Sequence, residues 1–139
     1  MAELKERTIE KEFVSYEIAL ELKELGFEEP CFGNIDQIGC IHVKGSKSSP
    51  RGSMMYNTID CPIFSQAFRF FREQLLLDSC IIPYWFIDGE YKVKKYTYSI
   101  EPSNRFDEYF DCDSDEYDTY KEAEIACLVK LIEICRKLK

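Results

Sequence analysis

Residues 80–100, CIIPYWFIDGEYKVKKYTYSI, constrain the fold more than any other stretch of the chain. Two β-branched and aromatic runs flank Asp88-Gly89, a dipeptide suited to a two-residue type I′ turn because glycine accepts positive φ. They predict a β hairpin with strands over 80–87 and 91–100. Alternation in the return strand slips near Lys94-Lys95: Tyr91 and Val93 share one parity, while Tyr96, Tyr98 and Ile100 share the other. A β-bulge there would reconcile the two halves. The flanking sequence supplies helices to pack on this sheet.

Three helices are predicted, over about 15–25, 62–76 and 119–138. In the first, Ser15 is an N-cap, Glu17 favours the helix dipole, and Ile18, Leu22 and Leu25 form one face. Gly26 suits the C′ position, with Phe27 folding back on Leu22 in a Schellman ending. The second starts near Pro62, whose missing N–H costs nothing there, and carries a stripe of Phe64, Phe68, Phe71 and Leu75. The third opens on a capping box, Thr119 to Glu122. Its apolar face is Ala123, Cys127, Leu131, Ile134 and Leu138, flanked by Ile125, Leu128, Ile132 and Cys135. Residues 30–36 read as a turn or short strand, and 38–43 as a strand. The expected architecture is a single α+β domain over 1–139: three helices on a small, mostly antiparallel sheet, with a mobile basic loop about 44–57 and an acidic loop about 101–118.

Charge excludes one class of partner. The chain has 18 Lys plus Arg against 26 Asp plus Glu, a formal net charge of −8. Such a surface repels a phosphate backbone at long range, so no nucleic-acid binding is expected. The seven cysteines show no CxxC spacing, and His42 is the single histidine, which argues against a zinc site. The chain opens MAELKERTIEKE without an apolar signal segment, and no apolar run approaches a membrane span. Free thiols in a reducing cytoplasm are expected, with no cofactor, metal or membrane contact.

Acidic residues are missing between Asp36 and Asp60, where His42, Lys44, Lys47, Ser48 and Arg51 sit among small residues. Backbone N–H groups and cationic side chains in such a loop can hold an anion, although GSKSSPRGS lacks the Walker A pattern. On the second helix, Phe70 is expected to face away from the core, beside Gln66, Arg69 and Glu73. Arg69, Phe70 and Arg72 then form the fixed wall of a ligand site, closed by Lys44, Lys47 and Arg51, with Phe70 or Trp85 stacking on a base. Asp111, Asp113, Asp115 and Glu122 have the spacing of an EF-hand loop, but Glu116 stands where the sharp turn needs glycine, and a solvated acidic loop is the expectation. No nucleophile is marked near His42, so no catalytic residue is assigned.

KEFVSYEIALELKELGFEEPCFG (11–33), FSQAFRFFRE (64–73) and YKEAEIACLVKLIEI (120–134) together resemble a family of small uncharacterised proteins of phages and bacterial mobile elements, particularly of Bacteroides-type hosts. The resemblance implies a phage accessory protein in the host cytoplasm, where such proteins often counter immunity. Three functions follow as expectations. The first is a non-catalytic sponge for a small phosphorylated nucleotide signal. The second is an acidic, DNA-mimicking inhibitor that meets a host defence protein through residues 107–118. The third is a small nucleotide hydrolase using His42. A homodimer is expected if the ligand sits at a subunit interface.

Overall fold

The computed structural model describes residues 11–43, 58–102 and 115–138. Its order is α1 (Tyr16–Glu24), β1 (Gly33–Asp36), β2 (Ile41–Val43), β3 (Thr58–Cys61), α2 (Phe64–Gln74), β4 (Leu77–Asp88), β5 (Tyr91–Pro102) and α3 (Tyr120–Leu138). Three helices and two small antiparallel sheets make the expected α+β fold. Contacts gather into two compact units that divide after Ala67.

In the first unit, α1 begins as its sequence dictates: the Ser15 hydroxyl accepts from the Ile18 N–H at 3.3 Å. It ends in the expected Schellman motif, with Phe27 N–H on Leu22 C=O at 3.0 Å and Gly26 N–H on Lys23 C=O at 3.1 Å. Gly26 takes φ 101°, and no atom lies within 4 Å of where a Cβ would stand. Gly26→Ala therefore meets no clash and carries only the left-handed backbone cost. A loss of about 1–2 kcal/mol is expected, read as a lower urea midpoint at unchanged slope.

The three-stranded sheet has the order β2-β1-β3. The strand expected over 38–43 is shorter, because residues after Asp36 form a turn and pairing resumes at Ile41↔Ile35. Strand β3 falls where the sequence suggests a loop running into a helix: four residues, TIDC, give too short a pattern to read. It pairs Cys61 with Gly33 and Thr58 with Asp36. The N-terminal segment straps this sheet, with Val14 N–H on Pro62 C=O at 3.1 Å and Phe64 N–H on Glu12 C=O at 2.9 Å. Beneath it lie Val14, Leu22, Ile35 and Cys61, all buried. The Cys61 thiol donates to Val14 C=O at 3.1 Å. Burial pushes that thiol up to about 12, helped by nearby Cys31, so it stays protonated and unreactive.

In the second unit, β4 and β5 form one hairpin against which α3 packs. Their pairing runs unbroken from Leu77↔Pro102 to Asp88↔Tyr91. The expected bulge at Lys94-Lys95 is thus absent. Only the base of the ribbon is covered, by Leu77, Tyr98 and Ile100 on one side, while Ile87 is 80% and Tyr91 76% exposed. A ribbon whose far half faces solvent has no buried side to keep in register, so the parity change needs no extra residue. The turn also sits one residue later than expected. Asp88 ends the strand, Gly89 takes φ 65°, and Glu90 keeps negative φ, the pattern of a type II′ turn.

Helix α3 buries Ala123, Cys127, Leu128, Leu131, Ile132, Ile134 and Cys135, whereas Ile125 turns to solvent. One arm of its capping box forms as expected, Glu122 N–H on Thr119 Oγ1 at 3.1 Å. The other reaches one residue further, from Asp118 N–H to the Glu122 carboxylate at 3.3 Å.

Candidate functional site

Directly opposed residues of an antiparallel pair share a face, so Pro83, Trp85 and Ile87 lie on one side of the ribbon with Tyr96, Lys94 and Lys92. This is the outward continuation of the buried side formed by Leu77, Tyr98 and Ile100. Tyr96 marks where it leaves the core. Its N–H and C=O both bond to Tyr117, at 2.9 and 2.8 Å, and its ring meets Tyr120 edge-on at 6.0 Å. Beyond that anchor Trp85 stands 54% exposed. The Lys92 ammonium lies 4.7 Å and the Lys94 ammonium 5.2 Å from the Trp85 ring centroid. Lys94 is also 5.2 Å from the Tyr96 ring.

Charge makes this cluster unusual. Lys95, on the opposite face, is ion-paired with Asp118, which holds its ammonium above the usual range. Lys121 pairs with Glu124, and Lys130 and Lys137 with Glu133. Lys92 and Lys94 have no carboxylate partner among the described residues. Two cations thus rest on an exposed indole, in a chain of net charge −8, with no counter-charge among the described residues. An aromatic plane flanked by free ammonium groups can accept a second planar ring while the ammoniums turn to an attached anion.

Apolar side chains continue toward the tip, which ends in the exposed carboxylates of Asp88 and Glu90. Ile82 and Phe86 are 39% and 37% exposed, and Tyr84 packs on Phe86 at 6.3 Å. Among the described residues no strand pairs with the outer edge of β4. Because Tyr96 turns its backbone groups to Tyr117, its partner Pro83 turns its own toward that outer edge. The missing proline N–H therefore interrupts the edge at its centre and disfavours addition of a further strand.

Other expected site residues are placed differently. Phe70 is buried, 5% exposed, and meets Phe71 edge-on at 5.5 Å. It is no stacking surface. The buried arc of α2 is Phe64, Ala67, Phe70 and Phe71, with Ala67 fully buried, whereas Phe68 and Leu75 are only half-buried. Gln66 joins the arc because its amide donates to Pro30 C=O at 2.7 Å. Arg69 and Arg72 are exposed on the helix, and without Phe70 beside them the expected wall loses its aromatic member. Lys44, Lys47, Ser48 and Arg51 lie outside the described residues, as does most of the acidic segment 107–118. Trp85 is the expected residue found exposed at the candidate site. Lys92 and Lys94 escape the sequence reading because the parity slip reads as a bulge; their signal is the i, i+2 spacing opposite an aromatic strand.

No known family model, curated protein or solved structure matches the chain.

His42 has a structural partner. Its Nε2 lies 3.3 Å from Asp36 Oδ2. Asp36 Oδ1 accepts the N–H groups of Ile38, Gly39 and Cys40 at 2.9, 3.0 and 2.9 Å, closing the β1–β2 turn. These bonds, led by that from Cys40, hold the Asp36 carboxyl below its ordinary value of 3.8. A lowered native pKa means that the stabilisation is complete at neutral pH and is lost as pH falls through the native value. Asp36→Asn keeps one acceptor but loses the charge. A fall in Tm of roughly 10 °C at pH 7 is expected, with a flatter acid limb than the wild type in thermal melts taken across pH. Among the described residues no group of metal-ligating side chains gathers, and no helix is long and apolar enough to cross a membrane.

Proposed function

We propose that this chain is a non-catalytic capture protein for a small phosphorylated nucleotide, with Trp85, Lys92 and Lys94 as its contact residues. The observation that carries this reading is the pair of lysines, without a carboxylate partner among the described residues, held over an exposed indole. The base stacks on Trp85, and Lys92 and Lys94 leave the ring for the phosphate, each forming a charge-assisted hydrogen bond. A capture protein acts through affinity and slow release, so it needs no nucleophile or general base. Set beside the resemblance to phage proteins, the captured molecule is a nucleotide-derived immune signal of the infected host, and the action is cytoplasmic. Calorimetry with cyclic mononucleotides, cyclic dinucleotides and cyclic ADP-ribose, at about 50 μM protein, is the test. Saturable heat with at least one and no conversion of the ligand is expected, since this concentration registers micromolar Kd values. Absence of heat with all of them would sink the proposal.

A second reading rests on the apolar side chains near the tip. Ile82, Phe86, Ile87 and Tyr91 offer a protein partner more area than a nucleotide needs. Under it the chain docks on a host defence protein by the ribbon. Phe86→Ser separates the two readings: it abolishes protein capture and leaves nucleotide affinity within about twofold, because Phe86 lies opposite Val93 on the face of the ribbon away from Trp85, Lys92 and Lys94.

A further inference from the structure

The first unit carries a groove of about 450 Å³, separate from the hairpin face. Its floor is Phe27, which is buried, and Ile59, which is half-buried. Its rim brings one cation and two carboxylates together: Lys23 from the last turn of α1, Glu28 just past the Schellman turn, and Asp60 from β3. All three are exposed. The side chains of Lys23 and Glu28 make no ion pair or hydrogen bond among the described residues. Asp60 is oriented: the Asn34 amide, turned so that its nitrogen faces acceptors, donates to Asp60 Oδ1 at 2.8 Å and to Gly33 C=O at 3.2 Å. The volume falls in the range that holds small ligands, and an apolar floor under a few convergent polar groups is the usual make-up of such sites.

We infer that this groove binds a small zwitterion of amino-acid or dipeptide size. Its ammonium lies between Asp60 and Glu28, its carboxylate meets Lys23, and a short aliphatic side chain covers Phe27 and Ile59. The charge pattern decides the class. A simple anion would meet two carboxylates, and a simple cation would lie beside the like charge of Lys23 at the rim. A ligand carrying both charges answers both, and the fixed Asp60 carboxylate lowers the ordering cost of binding.

The test uses the whole chain and three probes with one body: glycyl-leucine, its N-acetyl form, which lacks the ammonium, and its amide, which lacks the carboxylate. NMR titration should give saturable shifts at Phe27, Asn34 and Ile59 with glycyl-leucine. Each modified probe should bind at least tenfold more weakly. Lys23→Glu should weaken glycyl-leucine about tenfold while leaving the amide's affinity unchanged or improved, and Asp60→Asn should act on the ammonium end alone. The Lys23 side chain is exposed and unpaired, so its variant keeps the native fold and isolates binding. Equal affinity for all three probes, or no shifts with glycyl-leucine, would overturn the assignment. Trp85→Ala should leave these titrations unchanged, which separates this site from the hairpin.

Discussion

Trp85→Ala is expected to weaken nucleotide binding by up to about 100-fold while leaving the melting temperature almost unmoved. Stacking of one base on one aromatic side chain is worth about 1–3 kcal/mol. At 54% exposure, Trp85 contributes little to the core. What it stabilises in the free protein is its contact with Lys92 and Lys94, about 0.5–1 kcal/mol for an exposed cation–π pair. Lys92→Ala and Lys94→Ala should each weaken binding roughly tenfold, more at low salt than at high salt, because the lost contact is to an anion. Their combination should fall short of the product of the two, since both ammoniums serve one phosphate and one ring. Calorimetry at two ionic strengths, paired with thermal melts, checks all three. A variant that loses both affinity and melting temperature would mark a folding defect instead.

Phe71→Ala should give the reverse pattern, a large loss of stability. Phe71 is fully buried, and its ring meets buried Phe70 edge-on. Removing a buried phenyl ring costs about 3–5 kcal/mol, the lost transfer energy plus the cavity left behind. Set against a typical total of about 5–15 kcal/mol, that is a drop in Tm of roughly 10–20 °C. Denaturant melts should show a lower midpoint with unchanged slope. Phe70→Ala belongs to the same class. Were Phe70 a stacking residue on the surface, its removal would cost binding and spare stability; buried as it is, it costs stability first.

Those two phenylalanines show where sequence patterns mislead. The stripe of Phe64, Phe68 and Phe71 weights large residues, and it puts Phe70 on the far side of α2. The arc is centred instead near Ala67, which is fully buried yet too small to stand out in a pattern of rings. A Gln66 amide nitrogen that donates to Pro30 C=O then widens the buried arc in a way no periodicity predicts. Local chemistry is far more readable. Ser15 and the Gly26-Phe27 ending act through bonds within a few residues of themselves, and each forms as its residue type dictates. Strand β3 is the opposite case, since its existence depends on Gly33 to Asp36, more than twenty residues away. At the candidate site, the apolar character of Trp85 is legible from sequence. The lysines that give it a chemical character depend on strand register, which is set by Gly89 taking the first loop position rather than the second.

Trp85 is the single tryptophan in the chain, so the tryptophan emission of the protein reports on the candidate site alone. Emission should be followed while the nucleotide that gives heat in calorimetry is added to the wild-type chain and to the Lys92→Ala, Lys94→Ala double variant. Saturable quenching with the same Kd as the heat, shifted to much higher concentration in the double variant, is the expected result. Heat of binding with unaltered Trp85 emission would place the ligand elsewhere and contradict the assignment of this face.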